Sequence, residues 1–302
     1  MTALDQWVPA WRRPTVPWLP ARHNVLDAAA ATSKALAATD EERLLLRLRL
    51  ALAYARLQPE ELNDCTERTK VARILMEEIR RTQAPFSTRL PAAIEAPLSD
   101  RTFEVALESE DTAKICHTAF HYIGTHRAGR HYGLAPHGRQ ATSLPSYLLT
   151  FSPFDIEGAR SFVDDWLPNL SLSVLSRAFG FRVSPSNSFS FSLARSLSQL
   201  RSEGLGVDVV LTYVNPNVGF TGATHRASGW VPLAEEPAKY FYVNSAYVTS
   251  RELASRHQWA ESGRTPQLSI VPLLPLRIYA LPISKRGVAH FQTRGLNELQ
   301  GR

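Results

Sequence analysis

The sequence predicts an α/β (α+β) domain of about 200 residues preceded by a helical appendage. Apolar residues recur at helical intervals over the first third, whereas from about residue 100 short strand-like runs alternate with helical ones. Val207 to Val214 (VDVVLTYV) is almost continuously apolar and β-branched, which reads as a central strand covered on both faces. The 302 residues are 44% hydrophobic and 21% charged, enough to bury a core without disulfides, so disordered and fibrous classes are excluded. These changes of pattern divide the chain into 1–95, an arm and helical appendage, and 96–302, the α/β domain.

Residues 1–25 hold Trp7, Trp11 and Trp18 among prolines and read as an extended arm. Residues 24–38 are Ala-rich and helical. Asp40-Glu41-Glu42 opens a further helix whose apolar residues run from Leu44 to Leu57. A third helix covers 60–82, with Asp64 or Thr66 as its cap. Phe103 to Leu107 alternates as a strand, and Asp111 caps a helix reaching Tyr122. The segment from there to residue 139 reads as a Gly/Arg-rich loop. Ser146–Phe151 and Ser171–Phe181 are strands, separated by a short helix from Ile156 to Leu167. Asn187 to Arg201 is a helix with Phe189, Leu193, Leu197 and Leu200 on one side. After the central strand come a Gly-bearing turn, a short helix from Thr221 to Gly229, and strands at Tyr240–Asn244 and Leu276–Leu281.

Of 34 basic residues only Lys34, Lys70, Lys114, Lys239 and Lys285 are not Arg, so the net charge of +6 and the pI of 9.5 are Arg-derived. Arg forks suit phosphate, which permits nucleic acid or coenzyme A as partners; a GC-rich coding sequence gives the same composition. The two cysteines, Cys65 and Cys116, fit a reducing compartment. No apolar run approaches the roughly 18 residues of a membrane span, and the N-terminus lacks the order of a signal peptide. A cytoplasmic location without membrane contact is expected.

Three segments can carry chemistry. Residues 116–137 contain five of the nine histidines, His117, His121, His126, His131 and His137. His117 and His121, four apart on the expected helix, have a metal-ligand spacing. No Glu accompanies them as in a metalloprotease helix, so the expectation is no metal, with Arg127, Arg130 and Arg139 of the loop touching phosphate. The second segment is Thr212 to Trp230. A buried strand there runs into Asn215-Pro216-Asn217, and Gly219 and Gly222 lead to a helix N-terminus, which suits a pyrophosphate; two glycines at a strand-to-helix turn also serve sterics alone. The third is the serine-rich Ser184–Ser202, whose hydroxyls suit phosphate or sugar, or simply solvent.

The pieces VLSRAFGF (Val174–Phe181), PSNSFSFSLARSL (Pro185–Leu197), LTYVNPNVGFTGATHRASGW (Leu211–Trp230) and YFYVNSAYVTSREL (Tyr240–Leu253) together resemble the GNAT acyltransferase superfamily. Within it they are similar to the Mom-type DNA-modification branch of phages and their hosts. The resemblance covers Leu172 to Leu253 and, more loosely, Phe103 to His290. It implies a GNAT-like central mixed sheet with a splayed strand pair, flanked by helices, between whose strands acyl-CoA (acetyl-CoA) inserts. It would place the pyrophosphate on Asn215, Val218, Gly219, Gly222 and Ala223. The usual family loop, R/Q-x-x-G-x-G/A, is here N-V-G-F-T-G-A, which leaves the donor open. The implied activity is a transferase modifying an exocyclic amine, adenine N6 of double-stranded DNA, with an acyl- or carbamoylmethyl-type group.

Such a transfer needs a base, an acid for the leaving group and stabilisation of negative charge. Tyr213, Tyr242 and Tyr247 offer phenols, His225 a proton acceptor and Ser228 a neighbouring hydroxyl. Asn215 and Asn187 can polarise a carbonyl. Arg177, inside an apolar strand, calls for an anion, either a substrate phosphate or one of Asp155, Asp164 and Asp165. A flipped adenine would need an aromatic pocket, for which Tyr122, Tyr132, Phe151, Phe154, Tyr242 and Tyr247 are available. Two alternatives stay open: a GNAT N-acetyltransferase acting on a small-molecule or protein amine, and a non-enzymatic interaction protein that retains the fold.

Overall fold

The computed structural model describes residues 19–55, 62–93, 95–154, 163, 165–236, 240–243, 246–249, 267–268 and 274–296. The tryptophans of the N-terminal arm, Asp155, Asp164 and most of the helix expected at Ile156–Leu167 lie outside them. The chain divides into two compact units, one of Met1–Glu78, Asn215–Thr221 and Glu235–Leu276, the other of Ile79–Val214, Gly222–Ala234 and Arg277–Arg302.

The first unit contains α1 (Leu19–Leu36), α2 (Asp40–Tyr54) and most of α3 (Cys65–Gln83). Helix α1 begins at Leu19, inside the stretch read from sequence as an extended arm: Pro20 falls in its first turn, where the missing N–H costs no helical hydrogen bond. Thr39 and Glu42 form a capping box on α2: Thr39 Oγ1 accepts from Glu42 N at 3.1 Å and Glu42 Oε2 accepts from Thr39 N at 3.3 Å. Val25 and Ala29 of α1 and Leu46, Leu50 and Tyr54 of α2 are buried, and the Tyr54 hydroxyl donates to Arg68 O at 2.8 Å. Asp64 caps α3, its Oδ1 accepting from Thr66 N and Glu67 N. Strands β7 (Tyr240–Val243), β8 (Ala246–Thr249) and β9 (Gln267–Leu268) make a small sheet in the order β8-β7-β9.

The second unit is built on a seven-stranded mixed sheet. Its strands are β1 (Phe103–Leu107), β2 (Arg130–Pro136), β3 (Tyr147–Pro153), β4 (Leu172–Gly180), β5 (Val209–Val214), β6 (Val231–Glu236) and β10 (Leu276–Pro282), in the order β1-β2-β3-β4-β5-β10-β6. Strands β1 to β4 form an antiparallel meander, β4 and β5 are parallel, and β5 and β10 are antiparallel. Two departures from the sequence reading stand out. The segment read as a Gly/Arg-rich loop contains β2, a strand buried over five consecutive residues. Its Gly133 punctuates the pattern like a turn residue, yet the glycine is there because the Glu108 side chain lies where a Cβ would sit. The helix expected to run to Tyr122 is α4 (Glu110–Ile115), which widens into a π-turn over Cys116–Phe120 and ends.

Each face of the sheet is covered. Helix α5 (Ser188–Ser202) buries Phe189, Leu193, Leu197 and Leu200, the residues its periodicity selects, on the face that carries Tyr132, Leu149 and Phe151. On the other face Ala113 and Cys116 pack against Leu144 and Leu148, with the Phe120 and Phe179 rings stacked beside them and Phe181 edge-on to both.

Strands β4 and β5 pair only from Leu172↔Val209 to Leu175↔Thr212. At that point β4 carries a bulge: Thr150 of β3 faces Arg177 and Phe151 faces Leu175, so Ser176 is the extra residue. A bulge adds twist and turns the strand out of plane. The remainder of β4, Arg177 to Gly180, stays on β3 and leaves β5. The central sheet thus has the splayed strand pair that the GNAT resemblance implies. Short helices complete the unit: α6 (Ala223–Ala227) after β5, and α7 (Lys285–Thr293) after β10. Among the described residues no helix is long and apolar enough to cross a membrane.

Candidate active site

Because paired residues share a face and neighbours alternate, the register fixes which side chains surround the fork. His131 of β2 faces Thr150 of β3, which faces Arg177 of β4. On β5 the next residue beyond the last pair is Tyr213, on the same face. His131, Thr150, Arg177 and Tyr213 therefore form a row across four strands that crosses the opening between β4 and β5. Thr212 stands at the crotch of the fork, its hydroxyl donating to Leu175 O at 3.1 Å. Ser176, the bulge residue, bonds Ser152 Oγ through its own hydroxyl at 2.7 Å, which holds the bulge in place.

The row begins in a closed polar ring. Glu110 Oε1 lies 2.6 Å from His126 Nε2, and Glu110 Oε2 lies 2.7 Å from His131 Nε2. His131 Nδ1 is 3.0 Å from Thr150 Oγ1, Thr150 Oγ1 is 3.0 Å from His117 Nε2, and His117 Nδ1 is 3.2 Å from His126 Nδ1. Burial, with the nearby Arg177 charge second, holds the His117 pKa down at about 3, and burial also lowers that of His131 against the pull of Glu110. The hydrogen bonds from His126 and His131 keep the Glu110 carboxyl below its usual range. His117 does not pair with His121 as the four-residue spacing suggests. The π-turn breaks the helical phase, so the two rings stand edge-on with centroids 6.4 Å apart, and His121 Nδ1 accepts from Ile123 N. Glu110 and Thr150 are the members that sequence reasoning missed. A single acid and a single threonine carry no spacing signal, although the density of histidines just after Glu110 was visible.

The other expected site residues fall in several places. Arg177 donates to Ser176 O at 2.7 Å and to Thr125 Oγ1 at 3.1 Å. Arg130 pairs with Glu203 at 3.2 Å and Arg139 with the buried Glu108 at 2.7 Å, while the Arg127 amide points at His117 Nδ1 at 3.4 Å. Asn187 takes the left-handed conformation, φ 66°, at the N-cap of α5 without capping it through its side chain. His225 is enclosed by the rings of Phe189, Trp230 and Tyr279 at 5.1, 5.5 and 5.9 Å, and burial brings its pKa down to about 4. Ser228 Oγ lies 3.0 Å from Ser190 Oγ. Gly222 and Ala223 stand at the start of α6, where a Cβ on Gly222 would overlap the Tyr279 hydroxyl and φ is 77°. Asn215, Val218 and Gly219 belong to the first unit, where Asn217 between them bonds the backbone of Leu274 at both N and O, 2.8 Å each. Tyr242 and Tyr247 belong to that unit as well, as direct partners on β7 and β8. Tyr132 and Phe151, two of the aromatics available for a flipped base, are fully buried core residues with ring centroids 5.8 Å apart.

No protein-family model and no curated protein sequence matches the chain. The solved structures to which the chain is similar include three in which the likeness extends over 61% of this chain. One is yncA of Salmonella typhimurium, described as an acetyltransferase with its cofactor acetyl-CoA (95% of that chain, 10% identity, TM-score 0.36). Another belongs to the NatC complex bound to Gag peptide and CoA (99%, 6% identity, TM-score 0.35). The third is described as a phosphinothricin N-acetyltransferase (100%, 9% identity, TM-score 0.33). At TM-scores below 0.5 these likenesses carry no weight for the chemistry, which rests on the strand order, the bulge and the side chains.

Proposed function

We propose that the protein is an acyl-CoA-dependent N-acyltransferase of the GNAT type, acting on an amine of a small molecule or a protein. The observation that carries this reading is the fork: β4 parts from β5 after Leu175, so the edge of Arg177–Gly180 is turned away from β5. An extended amide-bearing chain such as pantetheine pairs with such an edge as an added strand. From Gly180 the chain leads within seven residues to the N-terminus of α5, where the amides of Phe189 and Ser190 have no helical carbonyl to bond. Those amides and the dipole of a 15-residue helix suit the pyrophosphate. This seat is preferred to the turn at Val218–Ala223, because Tyr279 packing accounts for Gly222 and α6 is only five residues long.

In the proposed reaction the acceptor nitrogen attacks the thioester carbonyl carbon, forming a C–N bond and a tetrahedral oxyanion. Collapse breaks the C–S bond; the phenol of Tyr213, at the mouth of the fork, protonates the thiolate, and the amine releases its proton to solvent. Arg177 supplies positive charge beside the oxyanion.

The Mom-type resemblance would direct the same chemistry to adenine N6. The amine reading is favoured because Arg130 and Arg139 already pair with carboxylates, and Tyr132 and Phe151 are fully packed. The test is thiol release from acetyl-CoA with a panel of amines and acceptor peptides, beside a thermal shift with acetyl-CoA alone. Absence of both refutes the proposal. DNA from expressing cells, digested and weighed as nucleosides, assigns the acceptor to adenine if a modified adenosine is found.

A further inference from the structure

We infer that Glu110, His126 and His131 form a binding site for one divalent transition-metal ion, with an open coordination position facing solvent. Two imidazole nitrogens and one carboxylate oxygen, all within 4.8 Å of one another, are a donor set that such ions accept. The set is half sunk: the His131 side chain is 2% exposed, His126 22% and Glu110 55%. The buried imidazole is anchored while the carboxylate side opens outward.

The independent argument is a count of hydrogens. The ring has five contacts. With Glu110 ionised, three neutral imidazoles and one hydroxyl supply only four hydrogens. The deficit can be located. The Arg127 amide, aimed at His117 Nδ1, makes that atom an acceptor and puts the His117 hydrogen on Nε2, toward Thr150. Thr150 then donates to His131 Nδ1, and His131 and His126 each donate from Nε2 to Glu110. What remains is His126 Nδ1 facing His117 Nδ1 at 3.2 Å, lone pair against lone pair.

A dication bound by Nε2 of His126 and His131 and by Glu110 removes this conflict. Both hydrogens move to Nδ1. His126 Nδ1 then donates to His117 Nδ1, which it shares with the Arg127 amide, and His131 Nδ1 and His117 Nε2 both donate to Thr150 Oγ1, whose two lone pairs take them while its own hydrogen turns out of the ring. Each metal-bound imidazole thereby gains the hydrogen-bonded partner that fixes its tautomer in established sites. Because Thr150 lies in the row that ends at Arg177 and Tyr213, the ion would stand on the face of the sheet that holds the fork. The inference does not depend on the acyltransferase reading.

Titration of the metal-free full chain with Co²⁺ tests it, followed by calorimetry and by visible d–d absorption, which reports protein ligation. One equivalent with d–d bands is expected. Glu110→Ala and His126→Ala, both at positions with solvent access, should weaken binding by about 100-fold or more, while His137→Ala, outside the ring, leaves it unchanged. Circular dichroism confirms that each variant is folded. Absence of a one-equivalent complex in the parent chain overturns the inference and leaves the ring to be completed by a proton. Equal binding by parent, Glu110→Ala and His126→Ala overturns it too, as ligation elsewhere.

Discussion

His225 illustrates how a single side chain couples burial to stability. Enclosed by three aromatic rings, it has a pKa near 4, below the 6.5 of an unfolded histidine. The unfolded chain therefore binds the proton first. The stabilisation is complete above pH 6.5, declines as pH falls toward 4, and is gone below that, a total of about 3 kcal/mol. Denaturant unfolding at pH 7.5 and pH 4.5 should show the loss, and His225→Phe should flatten that part of the profile. At this same scale the sequence was legible where a residue contradicted its surroundings. Arg177 stood out as a charge inside an apolar strand and flanks the fork; Tyr213, visible only as one of three available phenols, flanks it too. Glu110 and Thr150 contradicted nothing locally. Their role arises from tertiary register, which places β2, β3 and the start of α4 together, and no spacing in the chain encodes it.

Among the elements, α5 permits a prediction in which two effects have opposite signs. An acid at Ser190, in the first turn, interacts favourably with the helix dipole, so Ser190→Asp should raise the stability of the free protein by about 0.5 kcal/mol, less any contribution lost with the Ser228 contact. The same charge repels a pyrophosphate, so acetyl-CoA affinity should fall at least tenfold. Denaturant midpoints and calorimetry measure the two effects; unchanged affinity would remove the α5 N-terminus from the proposed cofactor seat. Elements with one strong periodic signal were readable: β1, β4, β5 and α5 lie within two residues of their expected bounds. Strand β2 was hidden because Gly133 and the surrounding Arg and His residues imitate loop chemistry, whereas the glycine makes room for Glu108, His131 enters the ring and Arg130 pairs with Glu203. The phase of His117 and His121 failed for a related reason. A π-turn inserts a residue that no propensity announces.

On the scale of the whole molecule, a net charge of +6 carried by Arg has its own consequence for nucleic acid. Any retention of duplex DNA at low ionic strength is expected to be indifferent to sequence and to vanish as salt rises through about 0.2 M, as counterion release requires. Electrophoretic retardation across a salt series measures this, and a salt-resistant complex dependent on sequence would return the acceptor to adenine. The order of the sheet bears on biosynthesis. Strand β10 lies between β5 and β6, yet it is made last, after an excursion of about forty residues through the first unit. Until residue 282 has left the ribosome, β5 and β6 each offer a bare edge to any passing strand. Chains released before Leu276 should accumulate in the insoluble fraction while the full chain stays in solution, which fractionation of truncated products would reveal. The protein therefore depends on its late segment for colloidal safety during synthesis, and chaperone demand should be greatest in the interval between translation of β6 and translation of β10.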